Sequence, residues 1–278
     1  MLTLIETISL AGDRAKQNDD ACGFAHGRAW VLDGATDLRE APLTRHASDA
    51  AWLAHFANAR IHAASANDRL EDIIRMASVH AAQAFAAASS NTPHERWQSP
   101  ISSLLIAEQT PSGIRGLDLG DSRAFALDAD GATHAAGGPD DAADTETALA
   151  AKQTDAEKPL LRREQTIALL RRMRASLNQV GAQWTFGLDP RCADHARSWT
   201  FALKRPAHAL LCTDGFAALV DRYRVYDVAS LVRAALDKGL QELGRELRAI
   251  EHDDADGARH PRFKRSDDAT SMLLRLEA

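Results

Sequence analysis

The chain has 278 residues, 45% hydrophobic and 26% charged, and its 33 Lys and Arg against 39 Asp and Glu leave a formal net charge of −6. Such a composition is globular and the length suffices for a large core, which excludes a disordered or fibrous protein. Mild acidity without a dense Lys/Arg stripe argues against nucleic acid as the partner. No apolar run reaches the roughly 20 residues of a membrane helix, so no membrane partner is expected.

The opening MLTLIETISLAGDR has neither a basic leader nor a long apolar segment, and Cys22, Cys192 and Cys212 form no CxxC pair. This usage fits a reducing compartment, and a cytoplasmic protein is expected. LTLIETISL reads as a strand that ends at Gly12 and Asp13, and RAWVLDG as a second ending at Asp33-Gly34, with a polar turn and a short strand after Asp19 and Asp20 between them. Ala-rich stretches at roughly 44–65 and 68–89 carry apolar residues at helical spacing. ISSLLIAEQ, GIRGLDLG and SRAFALDAD follow in quick succession and predict an antiparallel meander. From about Gly131 to Asp155 large apolar residues are nearly absent, which predicts a solvated loop. A basic helix over LLRREQTIALLRRMRASLNQ comes next, then strands at WTFAL and HALLC, a helical segment from about Asp227 to Ile250, and a closing strand in DDATSMLLRL. Segregated strands and helices predict an α+β fold with an antiparallel core.

The candidate chemistry lies in four aspartates at the ends of apolar runs: Asp33 after WVL, Asp121 after GLDLG, Asp214 after LLCT and Asp267 before ATSMLL. Strand ends hold side chains rigidly around a common point. Carboxylates without His or Cys partners select a hard cation, Mg²⁺ or Mn²⁺. An Asp-Gly pair alone is a common turn, so any one of these positions reads equally as a turn cap. No HExxH pair offers a rival metal set, and Cys212, inside an apolar run, reads as a buried, unreactive thiol.

QNDDA, VLDGATD, LDLGDSRAFAL, LLCTDGFAALV and SDDATSMLL resemble, in this order, the motifs of the PPM family, the metal-dependent type 2C protein serine/threonine phosphatases. The resemblance implies an αββα sandwich of two antiparallel sheets flanked by helix pairs, formed by a single domain over 1–278 with a flap-like insertion at about 130–195. It implies hydrolysis of phosphomonoesters on a phosphorylated protein, at Ser or Thr, by a metal-bridging water and without a covalent nucleophile, in a monomer. Asp33 would bridge two Mg²⁺ or Mn²⁺ ions with the Gly34 carbonyl completing one shell. Asp214 and Asp267 would hold the first ion, Asp19 the second, and Asp121 a third, outer one. Asp20 and Asp268 would stand behind the ligands and orient bound water, and Arg14 would clamp the phosphate, with Asp33, Asp214 and Arg14 as the catalytic group.

The chain departs from the family pattern at three places: Asp19 replaces a Glu, Ala35-Thr36-Asp37 follows the DG pair, and no His stands two residues after Asp33. The position usual for the phosphate-binding Arg is Ala15, flanked by Arg14 and Lys16. Within the insertion, Arg162, Arg163, Arg171, Arg172 and Arg174 form a basic face suited either to solvent or to an acidic substrate. The departures leave two other readings: a weak or silent phosphoprotein-binding module, and a phosphatase of a small metabolite.

Overall fold

Along β3 (Arg28–Gly34) successive side chains enter two different apolar layers, Ala29 and Val31 one, Trp30 and Leu32 the other. In β4 (Ile101–Thr110), Leu105 and Ala107 face the first layer while Leu104 and Ile106 face the second. Burial on both faces is why these strands read as almost unbroken apolar runs rather than alternating ones. The computed structural model describes residues 1–90, 92–138, 142–151 and 164–277.

One sheet runs from β2 (Asp20–Ala25) through β3, β4 and β5 (Gly113–Leu119) to β9 (Arg197–Ala202), with the short β8 (Phe186–Gly187) also paired to β4. The other runs from β1 (Leu2–Leu10) through β11 (Ala269–Leu276), β10 (Ala207–Cys212) and β6 (Arg123–Leu127) to β7 (Thr133–Ala136). All pairs are antiparallel. The sheets face each other across Val31, Leu105, Leu211, Met272 and Leu274. Helices α1 (Asp49–His62) and α2 (Leu70–Ala88) cover the outer face of the first sheet through Leu53, Leu70 and Ile74 against Trp30 and Ile106. Helices α5 (Asp214–Asp221), α6 (Val228–Lys238) and α7 (Leu240–Asp253) cover the second through Phe216, Leu231 and Leu243 against Phe125 and Leu210. This is the expected α+β sandwich. Among the described residues no helix is long and apolar enough to cross a membrane.

Two sequence expectations are corrected. The predicted meander divides: β4 and β5 form a hairpin in one sheet, but the chain crosses at Gly120-Asp121-Ser122 and β6 joins the other. Local apolarity is the same in both sheets, so nothing in these segments marks the change of partner. Second, the predicted loop at 131–155 contains β7 and α3 (Ala142–Ala151); the alanines that left it without large apolar residues are good helix formers. The segment over 227–250 is helical as expected, in two helices that meet at Gly239, whose φ of 82° lies in the left-handed region open to glycine.

The segment leading into α1 is organised by a single carboxylate. Asp49 is fully buried and accepts from the Thr44 hydroxyl at 2.6 Å and the backbone amides of Leu43 at 2.6 Å and Thr44 at 3.1 Å, and it pairs with Arg39. Burial pushes its pKa up, but these donors outweigh burial and hold it below the ordinary carboxylate value. Asp49→Asn leaves a buried guanidinium without its charge partner, and a loss of about 3 kcal/mol is expected, seen as a melting temperature lower by roughly 5–10 °C. An unchanged melting temperature would refute this role.

Candidate active site

The two sheets bring their strand ends together at one edge of the sandwich. Asp33, in the last turn of the pleat of β3, lies opposite Asp20 on β2 and Ser103 on β4. The Ser103 hydroxyl oxygen accepts from the amides of Asp121 at 3.0 Å and Ser122 at 2.9 Å, which fixes the crossing between β5 and β6 and with it Asp121. From the opposite sheet, Asp214 follows β10 as the first residue of α5, and Asp267 and Asp268 precede β11. A cavity of about 460 Å³ opens here, lined by Asp33, Gly34, Asp121, Asp214, Asp267 and Lys264. Five of the six predicted metal-binding residues thus share one cavity wall.

The sixth, Asp19, stands behind Gly34. Its carbonyl accepts from the Gly34 amide at 3.0 Å, and its carboxylate accepts from the Ser48 hydroxyl at 2.7 Å. A side chain at position 34 would meet the Asp19 carbonyl at 2.7 Å and that of Ala50 at 2.8 Å, so this close approach of three backbones requires glycine. Asp268 spends its two oxygens on the amides of Gly12 at 2.7 Å and Asp19 at 2.6 Å, tying the turn between β1 and β2 to the head of β11. Asp20 is buried: one oxygen accepts from the Thr213 hydroxyl at 2.8 Å, and that hydroxyl accepts in turn from the Thr270 amide at 2.9 Å. The other Asp20 oxygen is buried without a hydrogen-bond donor among the described residues.

Burial, followed by like charge, raises the acids of the site. Burial, then the charges of Asp214 and Asp20, push the Asp33 pKa well up, and a hydrogen bond to Asp214 adds to the shift. Burial likewise raises Asp20, and it moves Asp19 to about 6 against the opposing Ser48 hydrogen bond. Asp267 behaves differently: burial pushes it up, but Lys264, with its ammonium 2.5 Å away, pulls it below the ordinary value. Among the described residues no three His, Cys, Asp or Glu side chains already form a coordination sphere. The donors nonetheless suit a hard cation, because they are all oxygen, one Asp20 oxygen has no donor, and Asp33 and Asp214 share a hydrogen bond that needs a proton a cation would replace.

Arg14 is exposed in the turn after β1 and does not line the cavity. The guanidinium that sequence reasoning did not single out is Arg174 of α4 (Glu164–Ser176), which lines the cavity with Leu170, Met173 and Leu177 of the same helix. Burial lowers its pKa to about 10 while Asp37 opposes that shift, so it remains charged at neutral pH. Of the other basic residues predicted here, Arg171 is structural: it donates to the Leu38 carbonyl at 2.8 Å and lies 4.2 Å over the Trp97 ring. Arg172 is exposed, and Arg162 and Arg163 lie outside the described residues.

The profile of the protein phosphatase 2C family matches residues 13–248. The chain belongs to this family. No curated protein matches it significantly. Among solved structures, the serine/threonine phosphatase PstP/Ppp of Mycobacterium tuberculosis aligns over 100% of this chain and 99% of its own, with 14% identity and a TM-score of 0.59. The PPM Ser-Thr phosphatase MsPP of Mycobacterium smegmatis, solved with cacodylate, aligns over 98% and 97% with 17% identity and a TM-score of 0.57. RsbX, solved with magnesium, aligns over 100% of both chains with 12% identity and a TM-score of 0.50. At these identities the likeness is one of fold, and it spans the whole phosphatase 2C sandwich.

The raised acids make a stability prediction. An acid whose folded pKa exceeds its unfolded value stabilises the fold fully below the unfolded pKa, and this contribution is lost as pH rises through the folded one. For Asp19 the window runs from about 4 to about 6, and the raised Asp33 and Asp20 act in the same direction. In excess chelator, Asp33→Asn should therefore gain melting temperature relative to the unsubstituted protein as pH rises from about 4 to about 8. Parallel melting curves across that range would show that Asp33 does not carry the strain.

Proposed function

We propose that the protein is a metal-dependent phosphatase of phosphoserine and phosphothreonine in proteins. The observation that carries this reading is the convergence of Asp33, Gly34, Asp121, Asp214 and Asp267, from both sheets, on one cavity of a phosphatase 2C sandwich. In this reading Asp33 and the Gly34 carbonyl, with Asp19, Asp121, Asp214 and Asp267, hold Mg²⁺ or Mn²⁺, and the magnesium bound by the similarly folded RsbX supports the choice of ion. Such ions supply an acidified water and neutralise charge on the phosphoryl oxygens.

The chain's own groups do the rest. Asp20, held by Thr213, and Asp268, held by two amides, keep the ligand-bearing segments in register and so fix where water and phosphate meet. A guanidinium clamps the phosphate in two-pronged fashion; Arg174 is within the cavity wall, and Arg14 reaches it only if its exposed turn folds inward. A thiol route finds no support: burial pushes Cys192 to about 11 and Cys212 to about 12, so neither forms a thiolate at neutral pH. The segment 130–195 acts as the flap beside the site, with the apolar face of α4 against the substrate.

Release of phosphate from a phosphothreonine peptide is expected to require Mn²⁺ or Mg²⁺, to exceed release from a phosphotyrosine peptide, and to stop in excess EDTA. Asp33→Asn and Asp214→Asn should each lower turnover by roughly a hundredfold or more with the fold retained, since each removes ligand charge at nearly constant volume. Full activity in EDTA would sink the reading. The clamp is tested separately: Arg174→Ala should raise KM for the peptide by about tenfold, whereas Arg14→Ala should change it little. The reverse pattern would return the clamp to Arg14.

A further inference from the structure

Lys264 lines the cavity and is ion-paired to a predicted metal ligand, Asp267. Its ammonium lies 2.5 Å from an Asp267 oxygen, and Asp33 and Asp214 both act on it electrostatically. The same Lys264 lines the cavity beside those three acids. It is therefore placed where a divalent ion held by Asp267 would bring positive charge.

The placement is built rather than incidental, because the backbone on either side is anchored. Arg262, itself buried, donates to the Arg265 carbonyl at 2.9 Å, to Asp254 at 2.8 Å and to the His260 carbonyl at 2.9 Å. Arg248 donates to the Asp267 carbonyl at 2.8 Å and to that of Leu10 at 3.1 Å. Between these two clamps the chain has little freedom to carry residue 264 elsewhere, so displacing the ammonium means rotating the lysine side chain alone. That side chain is 31% exposed and lines the cavity.

We propose that Lys264 is a built-in competitor for the cation at Asp267: its ammonium holds the carboxylate that the ion needs, and the ion binds there only by displacing it. The inference rests on the reading of the site as metal-binding. Two consequences follow from the charge arithmetic. Without metal, the lysine offsets part of the repulsion among Asp33, Asp214 and Asp267, so the fold tolerates an empty site. With metal, the lysine weakens the binding of the ion at Asp267, and the site fills only at higher concentration than its carboxylates alone would need.

The test is Mn²⁺ binding by calorimetry, with the whole chain, for the unsubstituted protein, Lys264→Met and Arg265→Met. Arg265 is exposed one residue away and controls for the loss of one positive charge at a distance. Lys264→Met should bind Mn²⁺ with a Kd roughly tenfold or more lower, the scale of one charge-assisted hydrogen bond no longer to be broken, while Arg265→Met stays within about threefold. In chelator Lys264→Met should melt at a lower temperature than the unsubstituted protein, and saturating Mn²⁺ should close that gap. If Lys264→Met does not fold without metal, a crystal of the unsubstituted protein with Mn²⁺ decides: the ammonium displaced from Asp267 supports the proposal, and an ammonium still paired with Asp267 beside a bound ion overturns it. Equal Kd values for all three chains would overturn the proposal and leave the metal site standing. No Mn²⁺ binding by any of them would overturn both.

Discussion

Repulsion among carboxylates gathered at the seam of two sheets is the constraint on which the rest of this structure depends. Asp33, Asp20 and Asp19 are all held above their ordinary pKa by burial first and by neighbouring carboxylates after it. Such an arrangement persists only if the scaffold is stiff enough to hold it, and several of the acid-bearing positions are fixed by a hydroxyl of a different element. Ser48 holds Asp19, Thr213 holds Asp20, and Ser103 holds the backbone of Asp121. The apolar layers supply the bulk of the stability, and these few polar contacts decide where that stability is spent.

Among the cations that line the cavity, Lys264 and Arg174 differ in kind. Lys264 comes from an anchored segment and meets an acid directly. Arg174 comes from α4, whose attachment to the body includes Arg171 lying on Trp97 and donating to the Leu38 carbonyl. One cation is thus bound to the metal-ligand set and the other to the wall that a substrate meets, a division that separates neutralising the acids from gripping a phosphate.

Asp33, Asp121, Asp214 and Asp267 were legible in the sequence because each stands at the end of an apolar run, and a carboxylate at the edge of a core is rarely placed there without a partner. Asp33 and Asp214 are clear on that ground, and the order of the motifs placed Asp19, Asp121 and Asp267 around them. The change of sheet between β5 and β6 was not legible, since LDLG and SRAFAL are equally apolar and only tertiary pairing distinguishes their destinations. Arg174 was visible as one of several arginines on a basic helix, but which one faces the cavity depends on how α4 docks. Lys264 sits three residues before Asp267 in HPRFKRSDD, a run of mixed charge that reads as a solvated turn until Arg262 is seen to be buried.

The hydrogen bonds that assemble the site join distant parts of the chain. Asp268 reaches Gly12 across 256 residues and Asp19 across 249, and Thr213 reaches Asp20 across 193. Contacts of such separation carry the largest loop-closure cost and form late on a folding pathway. During synthesis, β2, β3 and β4 and their two helices emerge long before β11 does, so a nascent chain carries Asp20 and Asp33 on neighbouring strands for most of its elongation without Asp267 and Asp268 to complete the site. The acidic cluster comes into being only when the last strand docks between β1 and β10, which makes the arrival of this site a report that the whole sandwich has closed.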